Sequence, residues 1–123
     1  EFPQYFAEAN RRLLTVAQME TRLAVDNSRA IAAVDGVDVL FVGPMDLSTS
    51  LGMPKRFADP AFMEVLRIVA DSARAEGKAC GILLPNADLI PRFKEMGYTF
   101  VAVSSDVNVL SKHLKDIERA LRV

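Results

Sequence analysis

Acidic residues recur where apolar runs end. The run over residues 13–19 is followed by Glu20, the run over 37–42 by Gly43-Pro44-Met45-Asp46, and the run over 98–103 by Ser104-Ser105-Asp106; the run over 79–84 ends instead in Pro85-Asn86. Glu20 and Asp46 are the pair with chemical reach. If their runs are neighbouring parallel strands, about 4.8 Å apart, side chains leaving the two ends can converge on one ion. Two carboxylates with no His or Cys beside them suit a hard cation. Mg²⁺ or Mn²⁺ takes one or two protein carboxylates and completes its octahedron with waters and substrate oxygens, whereas zinc favours imidazole or thiolate. An acid just after a strand is also at home as a helix N-cap or as a first-turn charge that complements the helix dipole. Spacing alone leaves both roles open.

The stretch Gly43-Pro44-Met45-Asp46-Leu47-Ser48 adds a second candidate. A tight turn that opens a short helix leaves backbone N–H groups without partners, and these bind carboxylates or phosphates; an ordinary capped turn has the same sequence. Elsewhere the chemistry is thin. His113, the only histidine, stands among Lys112, Lys115 and Asp116, the pattern of a solvated helix face. Cys80, the only cysteine, lies inside an apolar run and reads as a small buried hydrophobe without a disulfide partner. No G-x-G-x-x-G, G-x-x-x-x-G-K-[ST] or G-x-S-x-G is present, so dinucleotide, P-loop and hydrolase chemistry lose their usual support.

The elements that must position these residues follow from period. Apolar, β-branched-rich runs over 13–19, 37–42, 79–84 and 98–103 are too short for helices and read as four strands. Their near-continuous apolarity predicts a parallel sheet covered on both faces. The clearest crossover helix starts with Asp59 as N-cap and Pro60 at the first helical position, and stops at Gly77. Phe62, Val65, Leu66, Val69, Ala70 and Ala73 make its inner stripe. A weaker stripe, Leu23, Asn27, Ile31 and Val34, predicts a helix between the first two strands. After the third strand a shorter helix is expected, capped by Asp88, with Pro91 in its first turn, Leu89, Phe93 and Met96 inward and Gly97 as the stop. The last helix carries Val107, Leu110, Leu114, Ile117 and Leu121 at spacings of 3, 4, 3 and 4, a narrow seam of the kind that packs on another helix. That partner is expected in another subunit, which makes a homo-oligomer through the C-terminal helix.

The string is thus a helix followed by four strand-helix units, an α/β pattern that fits either an open doubly wound sheet or part of a (β/α)8 barrel. A whole barrel takes about 250 residues, and this chain has 123. It opens on Glu1 and Phe2 with no initiator Met and no basic and apolar leader, and is expected to be a fragment of something longer. Fifteen Lys plus Arg stand against sixteen Asp plus Glu without a block of like charge, so a nucleic-acid partner is not expected. No stretch free of charged side chains approaches the ~20 apolar residues of a membrane-spanning helix. The cytoplasm is the expected location.

The residues Leu14-Thr15-Val16-Ala17-Gln18-Met19-Glu20-Thr21, Ala32-Ala33-Val34-Asp35-Gly36-Val37-Asp38, Val42-Gly43-Pro44-Met45-Asp46-Leu47-Ser48 and Ala102-Val103-Ser104-Ser105-Asp106 resemble the HpcH/HpaI aldolase family, the metal-dependent class II pyruvate aldolases related to the citrate lyase β type. Q-x-E-T and G-P-x-D-L-S, in that order and about 25 residues apart, are specific together. The resemblance implies the C-terminal half of a (β/α)8 TIM-barrel aldolase domain over residues 1–123. It also implies a divalent metal on Glu20 and Asp46, with Co²⁺ or Zn²⁺ as further candidates beside Mg²⁺ and Mn²⁺. The amides of Met45 and Asp46 would hold the pyruvate carboxylate, Gln18 would lie beside the metal, and Leu83 would line the way in for the aldehyde. The implied reaction cleaves or forms 4-hydroxy-2-oxo acids through a pyruvate enolate.

Departures from the family pattern matter equally. The Arg that steadies the enolate and the His that moves protons lie, in the family, on strands before this chain begins; Arg11, Arg12, Arg22 and His113 do not replace them. Met45 stands where family members often have Ala. Two rivals make other demands. An acyl-CoA lyase of the citrate lyase β type would want basic residues for the CoA phosphates. A receiver-like α/β binding domain would want paired acids after its first strand and a Lys after its last, but Glu20 is followed by Thr21, and Ser104-Ser105-Asp106 offers no Lys.

Overall fold

The protein is described by a computed structural model covering residues 2–122. Helix α1 (Phe2–Arg12) leads into β1 (Val16–Met19), and two short helices, α2 (Arg22–Asp26) and α3 (Ser28–Ala32), precede β2 (Val39–Val42). Helices α4 (Pro44–Ser50) and α5 (Pro60–Ala75) carry the chain to β3 (Ala79–Leu84). A single 3₁₀ turn, Ala87–Leu89, opens α6 (Ile90–Glu95), and β4 (Tyr98–Val103) and α7 (Asp106–Leu121) follow. The four strands pair in parallel in the order β1-β2-β3-β4, as the strand-helix alternation requires.

One face of the sheet holds the core. By register Ala17, Leu40, Cys80 and Tyr98 form one row, and Met19, Val42, Ile82 and Val101 form the next, all packed against α5 and its neighbours. The other face was expected to be covered as well, and it is not. It presents Val16, Gln18, Phe41, Leu83 and Phe100, of which all but Phe41 are exposed. In a (β/α)8 barrel that face would look onto the barrel axis and be filled by side chains of the remaining strands, so near-continuous apolarity is satisfied there without a second helix layer. Gly81 makes this face close up. Phe41 and Phe100 meet over it edge to face at 6.0 Å, and a Cβ on Gly81 would stand 2.6 Å from the Phe41 ring and 2.8 Å from the Phe100 carbonyl oxygen.

The sequence-based expectations hold best for α5. The Asp59 carboxylate accepts from the Ala61 N–H, Pro60 starts the helix, all six expected stripe residues are buried with Met63 added, and Gly77 ends the turn at φ 67°. Tyr98 then pins β4 beneath it by donating its hydroxyl to the Leu66 carbonyl at 2.9 Å. Other expectations need correction. Strands β1 and β2 start late because Asp38 ties their entrances together: its carboxylate accepts from the Thr15 N–H at 2.8 Å and its own N–H donates to the Thr15 carbonyl. Leu13 and Leu14 are left exposed, while Val37 is buried in the lead-in to β2. The stripe Leu23, Asn27, Ile31, Val34 fails because Asn27 breaks the helix in two. Val25, Ser28 and Ala32 turn inward instead, Ile31 is half-buried, and Leu23 and Val34 face solvent. Buried Ser28 meets Ser72 of α5 at 2.8 Å, which fixes α3 against it. Asn86, not Asp88, caps the turn before α6, by accepting from the Asp88 N–H. Phe93 is buried and Leu89 and Met96 are partly so, as expected.

Candidate functional site

Glu20 leaves the end of β1 and Gly43 the end of β2, the position adjacent in register being Met19 beside Val42. The Glu20 side chain lies directly over Gly43: a methyl group built there would stand 2.7 Å from Oε1 and 2.9 Å from Cγ. Gly43 is also the N-cap of α4, Pro44 fixes its first turn, and Asp46 lies within that turn. Both carboxylates therefore gather at the carboxyl end of the sheet, where ligands bind in parallel α/β folds. Among the described residues neither takes part in an ion pair. No group of three or more His, Cys, Asp or Glu side chains assembles among those residues, and Glu20 and Asp46 are two oxygen donors at neighbouring strand ends. That donor set, oxygen only and unspent, fits Mg²⁺ or Mn²⁺, which fill their remaining positions with water and substrate.

The turn is held by two hydroxyls that sequence reasoning missed. Ser48, fully buried, donates to the Met45 carbonyl at 2.9 Å and accepts from the Lys55 N–H at 3.2 Å; Thr49 donates to the same carbonyl at 2.9 Å. The loop after β1 is tied to the same helix, the Arg22 N–H donating to Ser50 Oγ at 3.1 Å. The N–H groups of Met45 and Asp46, in the first turn of α4, have no intrahelical carbonyl to meet. Nothing in the sequence singles out Ser48 as buried; a Ser three residues after Met45 in a helical pattern is the available clue.

The other expected residues divide into two groups. Gln18 is exposed on the open face of β1, opposite Phe41. Met45 and Leu83, 47% and 43% exposed, both line a cavity of about 440 Å³ at the carboxyl ends of β3 and β4. Glu20, Gln18 and Asp46 are not among its lining residues. Its walls are mainly apolar, and Arg92, Ser104 and Asn108 supply polar groups. Ser104 sits in the left-handed region at φ 60°, where a side chain is uncommon, and its N–H donates to the Leu84 carbonyl at 2.8 Å. Cys80 and Tyr98 lie deep under α5. Burial pushes the Cys80 thiol up from 9.0 to about 12, and burial followed by the neighbouring Cys80 pushes the Tyr98 phenol up as well, so both stay protonated at neutral pH. His113 is exposed on α7, as a solvated face requires.

The family model for HpcH/HpaI aldolase/citrate lyase matches residues 1–112. Over 107 residues the chain is 43% identical to a 5-keto-4-deoxy-D-glucarate aldolase of Salmonella arizonae, a match that covers 87% of this chain and 42% of that protein. The solved structure of an HpcH/HpaI aldolase/citrate lyase family protein from Burkholderia cenocepacia superposes with a TM-score of 0.91 at 32% identity, covering 98% of this chain and 47% of the other. An HpcH/HpaI aldolase from Desulfitobacterium hafniense gives 0.90 at 27% identity, with 99% and 48% covered. These neighbours are TIM-barrel aldolases, and the four parallel strands here make up about half of such a barrel. The chain spans less than half the length of the curated relatives it matches. Together with the Glu20–Gly43–Asp46 arrangement, these matches establish that the chain belongs to the HpcH/HpaI aldolase/citrate lyase family.

Proposed function

We propose that residues 1–123 form the C-terminal half of a class II aldolase barrel and carry the side of its active site that holds the metal and the pyruvate carboxylate. The observation that carries this reading is the Glu20 carboxylate seated over Gly43, at the mouth of the helix turn that bears Asp46. In this reading Glu20 and Asp46 hold a divalent cation, which when bound polarises the keto oxygen of the substrate. The N–H groups of Met45 and Asp46 take the carboxylate of the pyruvate unit, as unpartnered amides at a helix start do. Gln18 stands on β1, two residues before Glu20, beside the metal in this reading, and Leu83 lines the approach of the aldehyde. The reaction breaks the C3–C4 bond of a 4-hydroxy-2-oxo acid. The electron pair of that bond passes into the pyruvate unit as its enolate, and the hydroxyl proton on C4 leaves as the aldehyde forms. The relatives named for 5-keto-4-deoxy-D-glucarate favour a sugar-derived keto acid as the substrate class. The Arg and His expected to steady the enolate and move the proton belong to the amino-terminal half of the barrel, so this chain alone turns over little or nothing.

Isothermal titration with Mg²⁺ or Mn²⁺ tests the reading. The chain is expected to bind one ion, and Glu20→Gln combined with Asp46→Asn is expected to abolish binding, because the two carboxylates are the only protein donors proposed. Equal weak binding by both proteins would refute it. Co-refolding with an amino-terminal half from a related aldolase should then restore pyruvate release, followed with lactate dehydrogenase and NADH. Removing an oxyanion donor costs roughly 10²–10³ in rate and removing acid–base help roughly 10²–10⁴, so the unpaired half should fall about 10⁴–10⁷ short.

A further inference from the structure

Uncovered apolar surface gathers in three places: the open face of the sheet and the helices at its two edge strands. The open face carries Val16, Leu83 and Phe100, each more than a third exposed. Helix α1, which enters edge strand β1, exposes Phe2 and Phe6, and α7, which leaves edge strand β4, exposes Leu110 and Leu114; neither helix buries a described residue. The excess has a size. A folded monomer of 13.5 kDa has about 6,500 Å² of accessible surface, whereas this chain has 8604 Å². The difference, about 2,000 Å², exceeds the roughly 800 Å² per partner of a standard interface and reaches the range of obligate ones.

Both edges of the sheet are free to pair, since among the described residues β1 bonds only to β2 and β4 only to β3. The four strands run parallel and in chain order. A two-fold rotation about an axis along the strands therefore sets β4 of one copy beside β1 of another, again parallel, and makes the same junction on the far side. No edge is left for a third copy. Eight strands result, the number in a (β/α)8 barrel, whose shear of 8 divides evenly between two identical halves. Phe41 and Phe100, on β2 and β4, then supply with their copies four rings from alternate strands, as a barrel interior requires, and Gly81 between them leaves room. Charge offers little opposition. Each copy carries a net charge of -1, and the two Glu20–Asp46 pairs brought to one mouth are open to solvent and salt, because Asp46 is exposed.

We propose that the uncovered sheet face is an interface between two copies of this chain, which close through the edges of β1 and β4 into a two-fold, eight-stranded barrel. The inference rests on the half-barrel fold and not on the metal or the reaction. Sedimentation equilibrium at tens of micromolar, with EDTA present so that the metal site plays no part, is expected to show a dimer and nothing larger. Amide hydrogen exchange locates the contact. The outward-facing N–H groups of β1 and β4 should exchange at least about tenfold more slowly in the dimer than after dilution to monomer, since only a ladder with the other copy protects them. Val16→Lys puts a charge on a position that is exposed in the single chain and buried in the closed barrel, and should weaken association more than about tenfold while circular dichroism stays unchanged. Should that variant fail to fold, the dilution series on the unaltered chain decides alone. A monomer at tens of micromolar would overturn the proposal and leave the face to the other half of a longer barrel. Assembly beyond two copies would overturn it too, as would a dimer whose β1 and β4 amides exchange as freely as in the monomer, since the copies would then meet elsewhere.

Discussion

Helices α5 and α7 are each sixteen residues long, each starts on a side-chain cap, Asp59 in one and Ser105 in the other, and each carries an apolar stripe along one side. Seven residues of α5 are buried, and none of α7 is. The difference lies in what each stripe meets. The α5 stripe lands on β2 and β3 within the same chain, and is locked there by Tyr98 and by the Ser28–Ser72 contact of α3. The α7 seam, with Leu110 61% and Leu114 56% exposed, is covered by nothing comparable among the described residues. Amphipathic spacing therefore specifies that a face must be covered, and leaves open whether the cover comes from the same polypeptide.

The largest expected consequence concerns Cys80, which sits under α5. At pH 8 its thiol is protonated and sealed, so labelling by a disulfide reagent requires the chain to open. Even the lower end of ordinary domain stability, about 5 kcal/mol, predicts labelling at least a thousandfold slower than in the unfolded chain. Variants in the α7 seam should leave that rate unchanged, and rapid labelling of the native protein would place α5 and α7 on the same loose footing. The same group sets a pH limit. Its folded pKa, about 12, lies above the ordinary 9.0, so the folded chain holds the proton longer; the contribution of this group to stability is constant below about pH 9 and declines as pH rises toward 12.

Paired truncations sharpen the contrast. Leu66→Ala empties a fully buried site between α5 and the sheet and should cost about 2–5 kcal/mol in urea denaturation. Leu114→Ala removes an exposed group and should stay within about 0.5 kcal/mol in the isolated chain. Similar losses at both sites would mean that α7 is already covered in solution.

How far the sequence could be read follows the same division. Helix α5 was legible end to end because cap, Pro60, stripe and Gly77 are local signals that agree. The starts of β1 and β2 were not, because Asp38 reaches across 23 residues to the Thr15 N–H, and no periodicity reports that bond. The break at Asn27 was hidden for a similar reason. Its amide donates to the Leu23 carbonyl at 2.8 Å, and a stripe counted straight through it assigns the wrong face. At the site, Glu20 and Asp46 were legible as strand-end acids, while the closeness of Glu20 to Gly43 and the buried Ser48 clamp depend on two elements meeting. The uncovered sheet face misled for a different reason. Continuous apolar strands signal burial on both sides, and about half of a barrel leaves one of those sides for the other half.

If a second copy covers the α7 seam, Leu110→Asp combined with Leu114→Asp should dissociate it. Each leucine contributes about 1.5–3 kcal/mol when fully buried, so the pair should weaken association more than tenfold, enough to convert an oligomer at tens of micromolar into monomer by sedimentation equilibrium. A wild-type chain that sediments as a monomer at that concentration would assign the seam to the missing part of the barrel or to another partner, and would end the proposal of a homo-oligomer through this helix.

A small effect of opposite sign is expected at Ser104, between β4 and α7, where the well-packed and the unpartnered parts of the chain join. A non-glycine residue held near φ 60° costs roughly 1–2 kcal/mol, while glycine brings back about 0.5–1 kcal/mol of extra unfolded-state entropy. Ser104→Gly should therefore stabilise the chain by about 0.5–1 kcal/mol if the hydroxyl has no structural task, because the N–H to the Leu84 carbonyl is kept. Urea denaturation resolves a change of that size only when wild type and variant share the same slope, so both must be fitted together. The backbone at this junction then discriminates between two causes of its conformation. Stabilisation means that the turn into α7 imposes the left-handed geometry and serine merely tolerates it. A loss of stability means that the serine side chain itself holds the junction.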